Sequence, residues 1–535
     1  MSPGQASLKK PAILALALIV LVTAAIRLPL LDIPFERDEG EYAYIAWRLG
    51  HGELPYRDWV DQKPPGVFWV YRAALSLPME PVRAVHFMGM LWAAASACAL
   101  FYLARAFLKS AWAAAAGVLF AVIFVDPMVQ GTVSNTELFM LLPLLLSHRA
   151  FFFAIPKGSR QIIYSILCGV LTGIAVAFKQ VAAVNWLFLV ALYPFFAGTG
   201  RKVRDTYAFA GWSALGGAAV WGVISLYFLA RGGWSDFIYH VFTHNLEYVS
   251  AMSWSARWEA CLGTLKTLSG TQAIVWIFCF AGLVAVIANR RCKLLLYLAG
   301  WLISSVAAIS ASGYYFPHYF QQFLPGMALT AIIGAEWLFG LRFWANMAAP
   351  VRGAILALLL LWLPAAGLHP FLFKYTPSQA VDKMYPFNPF AVMPALGSRL
   401  AEITGPEDKV FVFGAEPELL FYAKRVSATR YIFLFPLYGP YSDALERQRQ
   451  TAEEIARARP KAAFFLPNQL FSIPGSEQQF TRWSVAYLEA NYRADRYLTL
   501  DKSNKLHVVS GANGQVPVVP SGQTMIGALL IRKTP

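Results

Sequence analysis

Long uncharged stretches decide the class of this chain before anything else does. "PAILALALIVLVTAAI" (Pro11 to Ile26) and "LYLAGWLISSVAAISA" (Leu296 to Ala311) approach the roughly 20 apolar residues that carry a helix across a bilayer. Eleven such spans are expected, near 11–27, 82–108, 111–126, 138–155, 162–178, 181–199, 207–230, 271–289, 294–311, 319–340 and 352–369. Only 14% of residues are charged, against about a quarter in soluble domains. The fold class is therefore a polytopic α-helical membrane protein.

A formal net charge of +15 raises the question of nucleic acid, and the placement of the basic residues answers it. They cluster between alternate spans: Lys9 and Lys10, Arg105 and Lys109, Lys157 and Arg160, Arg201 with Lys202 and Arg204, Arg290 with Arg291 and Lys293, then Arg342 and Arg352. Lys and Arg in short loops mark the cytoplasmic side, so these residues meet lipid headgroups and no nucleic-acid partner is expected. With the N-terminus inside, an odd number of spans leaves the C-terminal region outside. The first run ends in "TAA", small residues that suit signal cleavage, but its length and the spans behind it favour a retained anchor. The five cysteines are scattered and imply neither a disulfide framework nor a thiol metal site.

Beyond residue 370 the texture changes. "DKVFVFG", "RYIFLF", "KAAFFLP", "RYLTL", "KLHVV" and "IGALLIR" read as strands, and several helical patterns, among them "EPELLFYAKR" and "DALERQRQTAEEIARA", separate them. Alternation of this kind predicts βαβ units and a mostly parallel sheet. The expected division is a membrane module over 1–370 and an extracytoplasmic α/β domain over 371–535. No internal repeat is evident, which weakens a transporter built from inverted halves.

The unusual polar residues fall in the outward loops: the opening stretch from Arg37 to Gly66, "DPMVQGTVSNTEL" (Asp126 to Leu138), the segment from Arg231 to about Gly270, and "SGYYFPHYFQQ" (Ser312 to Gln322). Trp59, Trp69 and Trp234 fit an aromatic belt, and Lys179 at the outer end of a span can snorkel to headgroups. His240 and His244, four apart on one helical face, form a weak candidate metal pair without a carboxylate at fixed spacing. The opening stretch asks for more. "DEGEYAYIAWRLG" places Asp38, Tyr42 and Ile45 on one helical face, with Ala43, Ile45, Ala46 and Leu49 expected on the bilayer as an interfacial helix. Asp38 and Glu39 start that helix, where its dipole favours carboxylates, and their 100° offset lets only one face a shared site. Lys63 precedes Pro64 and Pro65, which stiffens the backbone around a cation suited to a phosphate.

At these residues the sequence resembles the lipid-linked glycosyltransferases of the GT-C fold, and in particular bacterial members of the protein O-mannosyltransferase and aminoarabinose-transferase superfamily. "RLPLLDIPFERDEGEYAYIA", "LPYRDWVDQKPPGVFWVY", "GTVSNTELFM", "FKQ" and "PHYFQQFLPGMAL" carry the resemblance, in the expected order. It implies a polyprenyl-phosphate-linked sugar donor, a glycan, lipid or protein acceptor, and a bacterial cytoplasmic (inner) membrane setting with chemistry on the outer face. The family's catalytic acid maps onto Asp38 with Glu39 beside it, its phosphate-binding lysine onto Lys63, and its second-loop acid onto Glu137 with Asn135 as rival. Lys179 matches a lysine near the donor site. Relatives that modify lipid A carry a basic residue where this chain has Glu41, and Glu where it has Gln62.

The expected reaction is a single inverting displacement at the anomeric carbon. Asp38 acts as general base, while Lys63, helped by Lys179 and Arg83, offsets charge on the departing phosphate. Tyr42, Asp58, Asp61, His318 and Tyr319 complete the candidate set. No cofactor is required, and a divalent metal is left open. The alternative is a transporter or flippase of lipid-linked saccharide, and a third reading is a membrane scaffold for the α/β domain.

Overall fold

The computed structural model describes residues 10–533 other than 157, 159, 198–201, 251, 345, 440, 468–475 and 512–514. Lys9, Lys157 and Arg201, named above as topology markers, lie outside the described residues. Among the described residues, eight helices are long and apolar enough to cross a membrane, and three shorter apolar ones accompany them. The long set includes α1 (Lys10–Arg27), α4 (Pro81–Ala104), α6 (Thr136–Ala154) and α9 (Lys202–Ala230). The shorter helices are α5 (Ser110–Phe124), α7 (Arg160–Val176) and a segment over Gln180–Phe196 that contains α8 (Ala183–Phe196). Each of the eleven expected spans overlaps one of these helices. The protein is a multi-pass integral membrane protein. The Pro317–Phe339 segment is 83% buried and forms the middle of the bundle, whereas α9, at 22%, runs along its rim.

Two helices between α1 and α4 do not span. α2 (Arg37–Leu49) begins where the Glu36 side chain accepts the Glu39 N–H at 3.1 Å, with Asp38 and Glu39 in its first turn. α3 (Gly66–Ala74) begins at Pro65, directly after the stiff Lys63-Pro64-Pro65 run. The expectation that α2 rests on the bilayer is corrected here. Ala43, Ile45 and Ala46 are fully buried, because α2 is sandwiched between the membrane bundle and the C-terminal region. A Cβ on Gly40 would lie 2.6 Å from Glu418 Cα and 2.7 Å from Glu418 N, so only glycine lets the helix at Glu418–Ala423 come this close.

Among the described residues, the C-terminal region carries six strands, β1 (Lys409–Phe413), β2 (Val426–Ser427), β3 (Ala462–Phe465), β4 (Tyr492–Leu500), β5 (Leu506–Ser510) and β6 (Thr524–Arg532), in the order β2-β1-β3-β6-β4-β5. β2, β1 and β3 are parallel, while β6 pairs antiparallel with both β3 and β4, and β5 with β4. The sheet is mixed, not mostly parallel as expected. The β4–β5 connection spans only Asp501 to Lys505, too short for a parallel crossover. "RYIFLF" is not a strand either. Its Tyr431, Ile432 and Leu434 are buried because they plug the join: Tyr431 and Leu434 pack with Val60 of the opening stretch, and the Arg430 carbonyl accepts the Val60 N–H at 3.0 Å.

The same region docks on the bundle through named bonds. The Phe35 N–H donates to the Tyr422 hydroxyl at 2.9 Å, and the Ser427 N–H to the Tyr44 hydroxyl at 3.0 Å. Arg37 pairs with Glu416 at 3.3 Å, and Arg430 with Asp236 at 3.1 Å. The Pro377–Met384 helix packs its Ala380, Val381 and Met384 against Leu30, Ile33, Val125 and Val133 of the bundle.

Candidate active site

Four of the polar loops are stitched together at one end of the bundle. The Gly66 N–H donates to the Ala177 carbonyl at 2.8 Å, the Asn245 amide to the Gln62 carbonyl at 2.8 Å, and the Gln321 amide to the Val129 carbonyl at 3.0 Å. A Cβ on Gly66 would meet the Ala177 oxygen at 2.6 Å, which makes glycine obligatory at that crossing. Lys63 is fixed from both sides: its N–H donates to Asp61 Oδ1 at 2.8 Å, and its carbonyl accepts the Tyr56 hydroxyl at 2.7 Å.

The Lys63 ammonium then reaches Asp38 Oδ1 at 3.7 Å, and each of these side chains keeps 22% of its surface exposed. The ammonium also lies 5.2 Å from the centre of the Tyr42 ring. Asn135 connects this pair to α6. Its amide nitrogen donates to Asp38 Oδ2 at 3.3 Å, while its oxygen accepts from the Tyr42 hydroxyl at 3.1 Å and caps α6 through the Thr136 N–H at 2.7 Å. Burial alone would raise the Asp38 pKa. Lys63, His318 and the Asn135 amide overcome it and hold the carboxyl below its ordinary value. Lys63 shows the mirror case: burial pulls its ammonium down, and the surrounding Asp38, Tyr42, Asp61 and Glu41 raise it well above the usual lysine value.

A second charged group stands on the same face. Lys179 pairs with the fully buried Glu137, and its ammonium sits 3.5 Å from the centre of the Tyr319 ring. Glu137 also accepts from the Thr136 hydroxyl at 2.7 Å, and His318 Nε2 lies 3.8 Å from it. The other His318 nitrogen is 2.7 Å from Gln130 Oε1. Asp38, Tyr42, Lys63, Asn135, Glu137, Lys179, His318 and Tyr319 are therefore brought together, with Asp61 behind Lys63.

Other sequence candidates fall elsewhere. Glu39 turns away from Lys63 into a buried pocket, where it accepts from His86 at 2.9 Å and the Ser134 N–H at 2.6 Å. Arg83 pairs with Asp32 at 2.6 Å on the surface, half exposed, and is not brought together with Lys63 and Asp38. Asp58 pairs with Arg57 at 2.7 Å and accepts the Leu54 N–H at 2.7 Å; it lines a cleft of about 530 Å³ against the C-terminal region, together with Trp59, Arg430 and Glu454. His240 and His244 each face an arginine, Arg430 and Arg447, at 3.5 Å. Burial first, then these guanidinium groups, pull the two histidines down to about 3 and about 4, an environment that repels a cation. Among the described residues no group of three or more His, Cys, Asp or Glu side chains is arranged to hold a metal. Tyr56, Gln130 and His86 support the site without having been singled out from sequence, since their partners are set by tertiary packing.

Comparison with known proteins places this arrangement. Overlaid on ArnT from Cupriavidus metallidurans, solved bound to undecaprenyl phosphate, the chain gives a TM-score of 0.59 at 16% identity, covering 95% of this chain and 99% of that one. The chain has the GT-C fold. The oligosaccharyltransferase AglB from Archaeoglobus fulgidus, in complex with an inhibitory peptide and a dolichol-phosphate, overlays with a TM-score of 0.53 at 11% identity, covering 97% of this chain and 76% of that one. Residues 62–227 match the family described as dolichyl-phosphate-mannose-protein mannosyltransferase, a stretch that contains Lys63, Asn135, Glu137 and Lys179 and begins after Asp38. No curated protein matches the chain by sequence. The GT-C resemblance read from the sequence is borne out at the level of the fold, and residues 62–227 resemble the mannosyltransferase family.

Proposed function

We propose that this GT-C protein is an inverting glycosyltransferase. It takes a sugar from a polyprenyl-phosphate donor and passes it to an acceptor hydroxyl on an envelope glycan, lipid or protein, at the outer face of a bacterial cytoplasmic membrane. The observation that carries the reading is the meeting of Lys63 and Asp38 at 3.7 Å on a partly open face, beside the Lys179–Glu137 pair. The lipid phosphates bound by the two solved relatives support a donor of this class.

The division of labour follows from the charges. Asp38, ionised at neutral pH, accepts the acceptor's proton as its oxygen attacks the anomeric carbon. The bond from that carbon to the phosphate oxygen breaks, and Lys63 stabilises the negative charge gathering on the departing phosphate. Asn135 holds the carboxylate in orientation. Lys179, desolvated and paired with Glu137, gives the same face a second fixed cation.

Purified protein offered polyprenyl-phosphate-linked sugars tests this directly. Transfer or hydrolysis of label that disappears in Asp38→Asn, and donor use that falls most in Lys63→Ala, is expected. Intact donors combined with labelled lipid crossing a vesicle bilayer would replace the proposal with lipid transport.

A further inference from the structure

Three carboxylates converge on the single ammonium of Lys63: Asp38 and Glu41 from α2, and Asp61 from the lysine's own loop. Only Asp38 reaches ion-pair distance. Glu41 is fully buried, and among the described residues neither of its carboxyl oxygens has a hydrogen-bond partner. Asp61 is 2% exposed; its Oδ1 takes the Lys63 N–H, and its Oδ2 has no partner among the described residues. The other groups facing the pair are Glu36 and Tyr42 on α2 and Tyr56 on the loop, none of them cationic. The next cations are engaged elsewhere, Lys179 by Glu137 and Arg37 by Glu416.

One ammonium balances one carboxylate. An additional buried, unpaired charge costs several kcal/mol, and such a group retains its proton instead. Burial pushes Glu41 well above the ordinary carboxyl value, with Asp61 adding to the rise and Lys63 opposing it, and burial against the pull of Lys63 brings Asp61 to about 6. At neutral pH the empty cluster thus holds a protonated Glu41, ionised Asp38 and Asp61, and Lys63⁺, for one net negative charge. An arriving phosphate would double it.

We infer that Asp61 is a proton-loading site behind Lys63, with Glu41 already carrying its proton, and that an anionic phosphate docking on Lys63 draws one proton from water onto Asp61. Asp61 is a positioning residue: it orients Lys63 through the backbone and sheds its charge when the anion arrives. The inference rests on the reading of Lys63 as the phosphate site. Its balance is one anion and one proton bound together, with no covalent step. The anion raises the affinity of Asp61 for its proton, so binding is tightest below about pH 6, the value for the empty site. Affinity falls by up to about tenfold per pH unit above that, and levels off once Asp61 is ionised in the complex as well.

The probe is undecaprenyl methyl phosphate, a diester that stays singly charged throughout, titrated into the full-length protein in detergent from pH 5.5 to 8.5. The native Kd is expected to rise about tenfold between pH 6.5 and 7.5, with uptake of about one proton per ligand when binding heats are compared in buffers of different ionisation enthalpy. Asp61→Asn keeps an acceptor for the Lys63 N–H but loses the titration, so its Kd is expected to stay within about twofold across the range. Glu41→Gln mimics the protonated acid and keeps the native slope. A native Kd that ignores pH, an Asp61→Asn slope equal to native, or a slope lost in Glu41→Gln would each overturn the inference. Lys63→Ala separates the two layers: binding as tight as native refutes phosphate docking itself, whereas weakened binding alongside a flat native profile refutes only the proton loading at Asp61.

Discussion

Gly40→Ala tests whether the C-terminal region governs the position of Asp38, the proposed general base. The added Cβ would sit 2.6 Å from Glu418 Cα and 2.7 Å from its N, against backbone that cannot swing aside, and two residues from Asp38. Overpacking of this kind costs about 1–3 kcal/mol, relieved by pushing α2 and the Glu418–Ala423 helix apart. Lys63 is held independently by Asp61 and Tyr56, so the displacement opens the Asp38–Lys63 separation and does not carry both together. A misplacement of about 1 Å at a reacting group costs about a hundredfold in rate, equivalent to roughly 2.7 kcal/mol. Steady-state transfer should therefore show kcat reduced by about 30- to 100-fold, with the donor KM little changed and a lower thermal midpoint. Gly222→Ala on α9, where nothing lies within 4 Å of the new methyl, serves as the control. A Gly40→Ala protein that transfers within twofold of native and melts at the native temperature would refute the claim that docking sets the Asp38 position.

Asn135→Ala removes the amide that orients Asp38 and the acceptor for Tyr42; kcat should fall about 10- to 100-fold with donor affinity retained, measured by separate donor and acceptor titrations. Glu137→Gln leaves Lys179 buried without its counter-ion and should cost about 3–5 kcal/mol, whereas Glu137→Leu combined with Lys179→Met should recover thermal stability and still fail in donor use. Asp38 has a depressed folded-state pKa, so its stabilising contribution is complete above the ordinary carboxyl value of about 3.9 and is lost only as pH falls further; acid titration curves should show no Asp38 transition above pH 4. Arg83→Ala, which breaks only the surface pair with Asp32, should leave transfer unchanged.

Whatever depended on neighbours in sequence was legible from sequence. Each expected span overlaps an apolar helix because hydropathy is summed over a local window. The start of α2 is legible for the same reason, from "ERDE" and its capping carboxylate. The Asp38–Lys63 pair was legible because only 24 residues separate the two, eleven of them in α2, and the Pro64-Pro65 pair stiffens one end. What lay hidden was anything decided by partners hundreds of residues away. Ala43 and Ile45 read as bilayer-facing because nothing near them announces the C-terminal helix that covers them. Glu39 and Asp38 are chemically alike, and only His86 and Ser134, on elements not yet placed, assign one inward and leave the other on the open face. "RYIFLF" has strand composition, yet its apolar residues meet Val60 instead of a ladder. Arg83 looked available until Asp32 turned out to lie beside it.

The hydrogen bond from Gly66 N to Ala177 O has a consequence for what this face can exchange over evolution. Lys63 stands three residues before one end of that bond and Lys179 two residues after the other, so main chain sets the gauge between the two cations. Side chains around the opening can drift and retune the sugar or the acceptor. The gauge itself changes only if a glycine, a proline pair and a helix terminus move together, which makes the phosphate of the proposed lipid-linked donor the most conservative term in the proposed choice of substrate.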